Sequence, residues 1–189
     1  MPGLRLRAVR ALVFSFFVLH LLPGAGDGAN GPTILASYKS RMGANRLTRV
    51  ADHAGVDFAA PRGSPVLAAA DGEVVHVGVD AGGCGIGVLL AHPDYKRYTV
   101  YCHMEAVDVS EGQRVRRGER IGRIGTTGDA VETPHVHLEL CSYRCQRGHK
   151  DGYLGGTEDP LHYIAGCFKA GKQYPHDRLV LTPPVGCVD

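Results

Sequence analysis

The histidines and carboxylates of this chain fall at spacings that could bring their side chains together. His53 and Asp57 stand four apart in His-Ala-Gly-Val-Asp. In an extended segment such positions face the same side, so an imidazole and a carboxylate can converge. His135 and His137 stand two apart in His-Val-His-Leu-Glu-Leu, which alternates as a half-buried strand does. Both imidazoles then point to one face, and Glu139 follows them. Tyr101 and His103 repeat the two-residue spacing in another strand-like run. Imidazole nitrogen and carboxylate oxygen are zinc donors, and three protein donors leave a fourth position open, as in catalytic zinc sites. Each pair alone reads more readily as an ordinary surface or core feature; together they are evidence for a metal site.

Strands are needed to position such groups. From Gly55 onward, short runs of strand-forming residues are cut by Gly, Pro and Asp. Residues 66–78 give two runs broken at Asp71-Gly72, a turn dipeptide. Residues 85–91 and 98–104 flank a polar turn and read as a hairpin, and residues 114–125 read as a second ribbon turning at Gly118. No long amphipathic helix stands out, and a short helix is expected near Leu161–Ala165. The chain has 26 Gly and no Trp, which suits a turn-rich β domain. Its 44% apolar and 21% charged residues exclude a chain disordered throughout. The expected organisation is a signal peptide over 1–26, a linker over 27–33, one antiparallel all-β domain over 34–165 and a Cys- and Pro-containing extension over 166–189.

The signal reading rests on Arg5, Arg7 and Arg10, an apolar run over 11–22 and a small-residue exit with cleavage between Ala25 and Ala29. The run is shorter than the roughly 20 residues a bilayer requires, so no membrane association is expected once it is removed. The destination is the periplasm or the outside of the cell. Without the three leading arginines the chain has 18 basic and 19 acidic residues, which removes the bulk-charge argument for a nucleic-acid partner. Arg114, Arg116 and Arg117 form a small cluster, read as a solvated strand edge or a contact for an anionic wall polymer. Six cysteines in an exported chain imply disulfides. Connectivity stays open; Cys84–Cys102, Cys141–Cys145 and Cys167–Cys187 make a local set. Paired CxxC spacings are missing, which argues against a thiolate zinc site.

Residues 53–75, HAGVDFAAPRGSPVLAAADGEVV, resemble the signature of the M23 zinc metallopeptidases, the LytM or lysostaphin-type endopeptidases. The resemblance continues through residues 100–128, PHVHLEL at 134–140 and EDPLHYI at 158–164. It implies a two-sheet antiparallel β fold with a groove over a zinc ion. It implies that His53, Asp57 and His137 are the zinc ligands and that His103 and His135 are non-ligand catalytic histidines. It further implies a zinc endopeptidase that hydrolyses peptide bonds in peptidoglycan stems or cross-bridges. One of the two catalytic histidines would then be general base and the other a hydrogen-bond donor to the developing oxyanion; which does which stays open. Glu139 is either a carboxylate orienting a ligand histidine or a plain strand residue. Tyr101 either lines the groove or packs in a strand. His20 leaves with the signal, and His76, His92, His149, His162 and His176 are expected in surface or turn roles.

The chain departs from the family pattern in two loops. Residues 125–135 look one residue longer than usual, with Glu132 and Thr133 where small residues are typical, and the turn at 92–97 is extended. Both bear on substrate preference. The alternative function is a non-catalytic member of the fold that binds or activates another cell-wall hydrolase; a weaker third is a secreted zinc-binding signalling protein. Retention of all five site residues favours the enzyme, and the need for an activator protein stays open.

Overall fold

The computed structural model describes residues 31–42, 51–80, 83–129, 133–142 and 156–187. The expected signal peptide, Glu132, Cys145 and His149 therefore lie outside the described residues. Among the described residues twelve strands follow in chain order: β1 (Ile34–Ala36), β2 (Arg41–Met42), β3 (Ala51–Asp52), β4 (Val56–Ala59), β5 (Pro65–Leu67), β6 (Gly72–Asp80), β7 (Gly85–His92), β8 (Arg97–Val107), β9 (Arg114–Val115), β10 (Arg120–Ile124), β11 (His135–Cys141) and β12 (Thr157–Glu158). Ten form one branched sheet in the order β1-β4-β11-β8-β7-β6-β9, with β10 on β8 and β5, and β12 on β11; β2 and β3 pair as a ribbon. Every pairing among these strands is antiparallel, and Ile164 and Leu181 form one isolated parallel bridge. The fold is nearly all-β and antiparallel, as expected.

β8 organises the molecule because it serves two sets of partners. Its first part lies between β7 and β11, and Met104–Val107 pair with β10. A bulge separates the two parts. Between Ile86↔Met104 and Val88↔Tyr101, β8 advances three residues while β7 advances two. His103 sits there at φ 65°, in the left-handed region. Such a conformation costs a non-glycine residue about 1–3 kcal/mol, and bulges re-aim the side chains beside them. Here the bulge resets alternation, so Tyr101 and Met104 both reach the main core. Cys102 instead joins a small cluster with Cys84, Val100 and Leu89.

The main core joins Val56 and Phe58 of β4, Val66 of β5, Leu90 of β7, Ile121 and Ile124 of β10, and Val136, Leu138 and Leu140 of β11. The 7-residue alternation of β11 thus sends Val136, Leu138 and Leu140 inward and leaves His135, His137 and Glu139 on the other face.

Several expectations need correction. The runs either side of Asp71-Gly72 are strands, but β5 pairs with β10 and β6 with β7 and β9. The intervening Ala68, Ala69 and Ala70 are buried, so this segment crosses through the core instead of turning back. Likewise β9 and β10 do not pair with each other, although Gly118 between them does turn at φ 76°. The short helix near Leu161–Ala165 is a single 3₁₀ turn over Pro160–His162, capped by Asp159. The hairpin of β7 and β8 is present, closed by a 3₁₀ turn over Pro93–Tyr95. His92 is not a surface histidine. It is buried, with Nδ1 2.7 Å from the Asp71 carbonyl and Nε2 2.9 Å from Thr99 Oγ1. His76, His162 and His176 are exposed, as expected.

The tail straps back over the domain. Leu181 N–H donates to the Tyr163 carbonyl, Thr182 N–H to Ala69, and Leu67 N–H to Pro184. Leu179, Leu181 and Val185 enter the core. Arg117 is part of this strap and not a solvated edge: its guanidinium donates to the Ala69 and Val180 carbonyls, both at 2.6 Å, and covers the Tyr174 ring. Disulfides join Cys84–Cys102 and Cys167–Cys187. Cys141 is also disulfide-bonded. Among the described residues, no helix is long and apolar enough to cross a membrane.

Candidate metal centre and active site

Asp57 and His137 are directly opposite each other on neighbouring strands β4 and β11. Cross-strand partners have adjacent side chains, so this pair is built into the sheet register. His53 precedes β4 and is not on the same continuous strand as Asp57, contrary to the extended-segment reading. The chain bends at Gly55, where a Cβ would lie 2.2 Å from the Leu138 carbonyl oxygen. That close approach to β11 brings His53 beside His137. The His53 backbone is tied to the β1–β2 turn through Lys39 N–H to its carbonyl and its own N–H to Ser40.

Three atoms converge. Asp57 Oδ1 lies 2.7 Å from His137 Nδ1 and 3.1 Å from His53 Nε2, and the two nitrogens are 2.9 Å apart. The far side of each ring has its own partner. His53 Nδ1 donates to the Ser37 carbonyl at 2.9 Å, and His137 Nε2 to Glu139 Oε1 at 3.1 Å. With those N–H groups engaged, the three converging atoms can all present lone pairs to a metal ion; without one, a proton shared between His137 and Asp57 takes its place. Two imidazole nitrogens and one carboxylate oxygen form a donor set suited to zinc. All three residues are buried. Among the described residues this is the one group of His, Cys, Asp or Glu side chains close enough to hold a metal ion.

The electrostatics agree with a cation site. Burial works to raise the Asp57 carboxyl, but hydrogen bonds and positive charge from His137 and His53 outweigh it and hold the group well below the carboxylate range. Burial works to lower His137, yet its hydrogen bonds to Asp57 and Glu139 push it up to about 9.

The other two histidines flank this group. The His103 and His135 ring centroids are 4.8 Å apart, and His103 is 5.8 Å from His137. His103 Nδ1 donates to the Thr127 carbonyl at 2.9 Å, and His135 Nδ1 to the Thr133 carbonyl at 2.7 Å. Both rings are therefore set in one tautomer with Nε2 available for proton exchange. His135 Nε2 lies 3.7 Å from Asp57 Oδ2. Burial lowers His103 to about 4, with further lowering from His137 and His135 and partial opposition from its bond to Thr127, so the ring is neutral at pH 7.

The structure thus brings together His53, Asp57, His103, His135 and His137, with Glu139 behind His137. It places Tyr101 elsewhere. That side chain is fully buried and its hydroxyl accepts Ala69 N–H at 2.9 Å, because the bulge separates its face from that of His103. Sequence reasoning missed Ser37 and Thr127. Both act through main-chain carbonyls, which carry no residue-type signal.

A sequence model of peptidase family M23 matches residues 51–150. The chain belongs to this family. The M23 fold is also what the solved structures share with it. The catalytic domain of the antimicrobial peptidase lysostaphin from Staphylococcus simulans superposes with a TM-score of 0.61 at 24% identity, over 74% of this chain and 96% of that one. A zinc-containing peptidase from Vibrio cholerae gives a TM-score of 0.52 at 32% identity, over 58% and 33%. Peptidoglycan DD-endopeptidase ShyA of Vibrio cholerae is 44% identical over 92 residues, 49% of this chain and 21% of that protein. The chain spans about a fifth of the length of several curated relatives it matches.

Proposed function

We propose that this M23 member is an exported, zinc-dependent endopeptidase that hydrolyses peptide bonds in peptidoglycan stem peptides or cross-bridges. The observation that carries the reading is the buried convergence of His53 Nε2, Asp57 Oδ1 and His137 Nδ1, flanked by two histidines in fixed tautomers. His53, Asp57 and His137 would hold zinc, which when bound acidifies water and polarises a carbonyl. Glu139 and the Ser37 carbonyl orient the two ligand rings. His103, with Nδ1–H held by the Thr127 carbonyl, turns its Nε2 lone pair toward the metal group, as a general base must. His135 is suited to donate from Nε2 to oxygen charge developing on the substrate once it carries a proton there. Peptidoglycan is supported as substrate by the named activity of ShyA. Export is supported by the N-terminal pattern and by the five disulfide-bonded cysteines Cys84, Cys102, Cys141, Cys167 and Cys187.

The test is digestion of intact sacculi of direct and glycine-bridged cross-link types, with released fragments identified by mass. Release that stops on chelation and returns with zinc supports the proposal. No release from either wall type by zinc-loaded protein overturns it.

A further inference from the structure

We infer that the Cys84–Cys102 disulfide is a positioning element for His103: it locks the β8 bulge that aims this ring at the metal-binding group. For its kinetic consequence the inference rests on the endopeptidase reading; for its structural consequence it does not.

His103 occupies the left-handed region at φ 65°. A non-glycine residue stays there only when its surroundings hold it. The holding contacts converge from two segments. The first is the turn leading into β7. Its Cys84 carbonyl accepts His103 N–H at 2.8 Å, while the Cys84 sulfur is bonded to Cys102, the residue before His103. The same residue thus grips the bulge twice, once through the main chain and once covalently.

The second segment is Gly125–Thr127. Gly125 N–H donates to the His103 carbonyl at 3.0 Å. The Thr127 carbonyl accepts His103 Nδ1–H, and its Oγ1 accepts Ile86 N–H at 2.9 Å and donates to the Met104 carbonyl at 2.7 Å. Thr127 therefore fastens the segment after Cys84 to the segment after His103.

Packing leaves no slack between these pieces. A Cβ on Gly85, at φ 65°, would lie 2.4 Å from Gly128 N, and one on Gly87 would lie 2.9 Å from Cys84 Sγ. Both sulfurs are buried, beside Val100 and Leu89. The bridge does not serve mainly to close a loop, because the β7–β8 ladder already brings these strands together over most of their length. Its location at the register shift gives it a local task. Without it the bulge can relax toward regular pairing, which would rotate His103 away from His135 and His137.

The experiment compares wild type, Cys84→Ala/Cys102→Ala and the control Cys167→Ala/Cys187→Ala, each zinc-loaded and at 25 °C. Zinc content, kcat and KM on a cross-linked muropeptide, and the ¹⁵N tautomer signals of the histidine rings are measured. The expected result for the first variant is a kcat lower by about 10–100-fold, the scale of an ångström-level misplacement. KM stays within about twofold, zinc content is retained, and His103 leaves its fixed Nδ1–H tautomer. The control keeps wild-type kcat and ring signals. Unchanged kcat and unchanged His103 signals in a folded variant overturn the inference. If wild type hydrolyses nothing, the endopeptidase reading fails, and the His103 signals alone decide the positioning claim. Should the double variant not fold, Cys84→Ala/Cys102→Val, which refills part of the buried volume, gives the same comparison.

Discussion

Replacing Glu139 should weaken zinc binding through a tautomer and not through a lost ligand. Glu139 Oε1 accepts His137 Nε2–H at 3.1 Å, and His137 is only 6% exposed. That bond keeps the ring proton on Nε2 and the Nδ1 lone pair directed at His53 and Asp57. In Glu139→Ala the Nε2–H becomes a buried donor without this acceptor, at a cost of about 1–3 kcal/mol. The competing tautomer, with the proton on Nδ1, donates to Asp57 Oδ1 at 2.7 Å and closes the lone pair to metal. Zinc must then overcome this preference, which corresponds to an affinity loss of about 5–150-fold. The usual range for residues supporting a ligand histidine is about 10–100-fold. Glu139→Gln keeps an oxygen acceptor and should lose less than the alanine variant. The assay is competition with a chromophoric chelator at fixed pH, with thermal unfolding of both apo variants as the fold check. Zinc affinity within threefold of wild type in folded Glu139→Ala would refute the reasoning, and Glu139 would be a plain strand carboxylate.

Other outcomes follow from the same structure. Burial raises the Tyr101 hydroxyl from 10.0 to about 12. The unfolded chain therefore releases this proton near pH 10 and the native state only near 12, so stability present below pH 10 is lost as pH rises through that window. Urea unfolding between pH 9 and 11 should show that slope in wild type and a shallower one in Tyr101→Phe. Cys167→Ala/Cys187→Ala opens a link of sequence separation 20 and should lower stability by about 3 kcal/mol while leaving turnover at 25 °C unchanged, read by denaturant midpoint and hydrolysis rate. Gly55→Ala places a Cβ 2.2 Å from the Leu138 carbonyl oxygen, so it should displace His53 from β11 and reduce zinc content by mass spectrometry of the native protein.

Period-two reasoning succeeded where strands are regular. In β11 the alternation alone puts His135, His137 and Glu139 on one face and Val136, Leu138 and Leu140 in the core. It failed at β8, where the bulge at His103 adds a residue, so Tyr101 and His103 part company despite their spacing. It also failed for His53 and Asp57, which meet across the bend at Gly55 and not along one extended run. Local turn chemistry recognised Gly118 but misjudged Asp71-Gly72, and it did not show which strands pair, because that depends on long-range partners. Arg117 and His92 illustrate a further gap. Their types suggest solvent, while carbonyls from distant segments satisfy them inside the fold.

On the proposed reading, the five clustered residues form a working hydrolytic site and not only a metal-binding one. The most direct test measures zinc content and cleavage of a purified cross-linked muropeptide dimer on the same samples of wild type and His103→Ala. The predicted result is one zinc in both, dimer cleaved to monomers by wild type, and a rate lower by about 10²–10⁴-fold in the variant, the usual scale for one general acid–base group. Equal rates would remove His103 from the mechanism. A zinc-loaded wild type that leaves direct and glycine-bridged dimers uncut would contradict the account and favour a non-catalytic, binding or activating role for this fold.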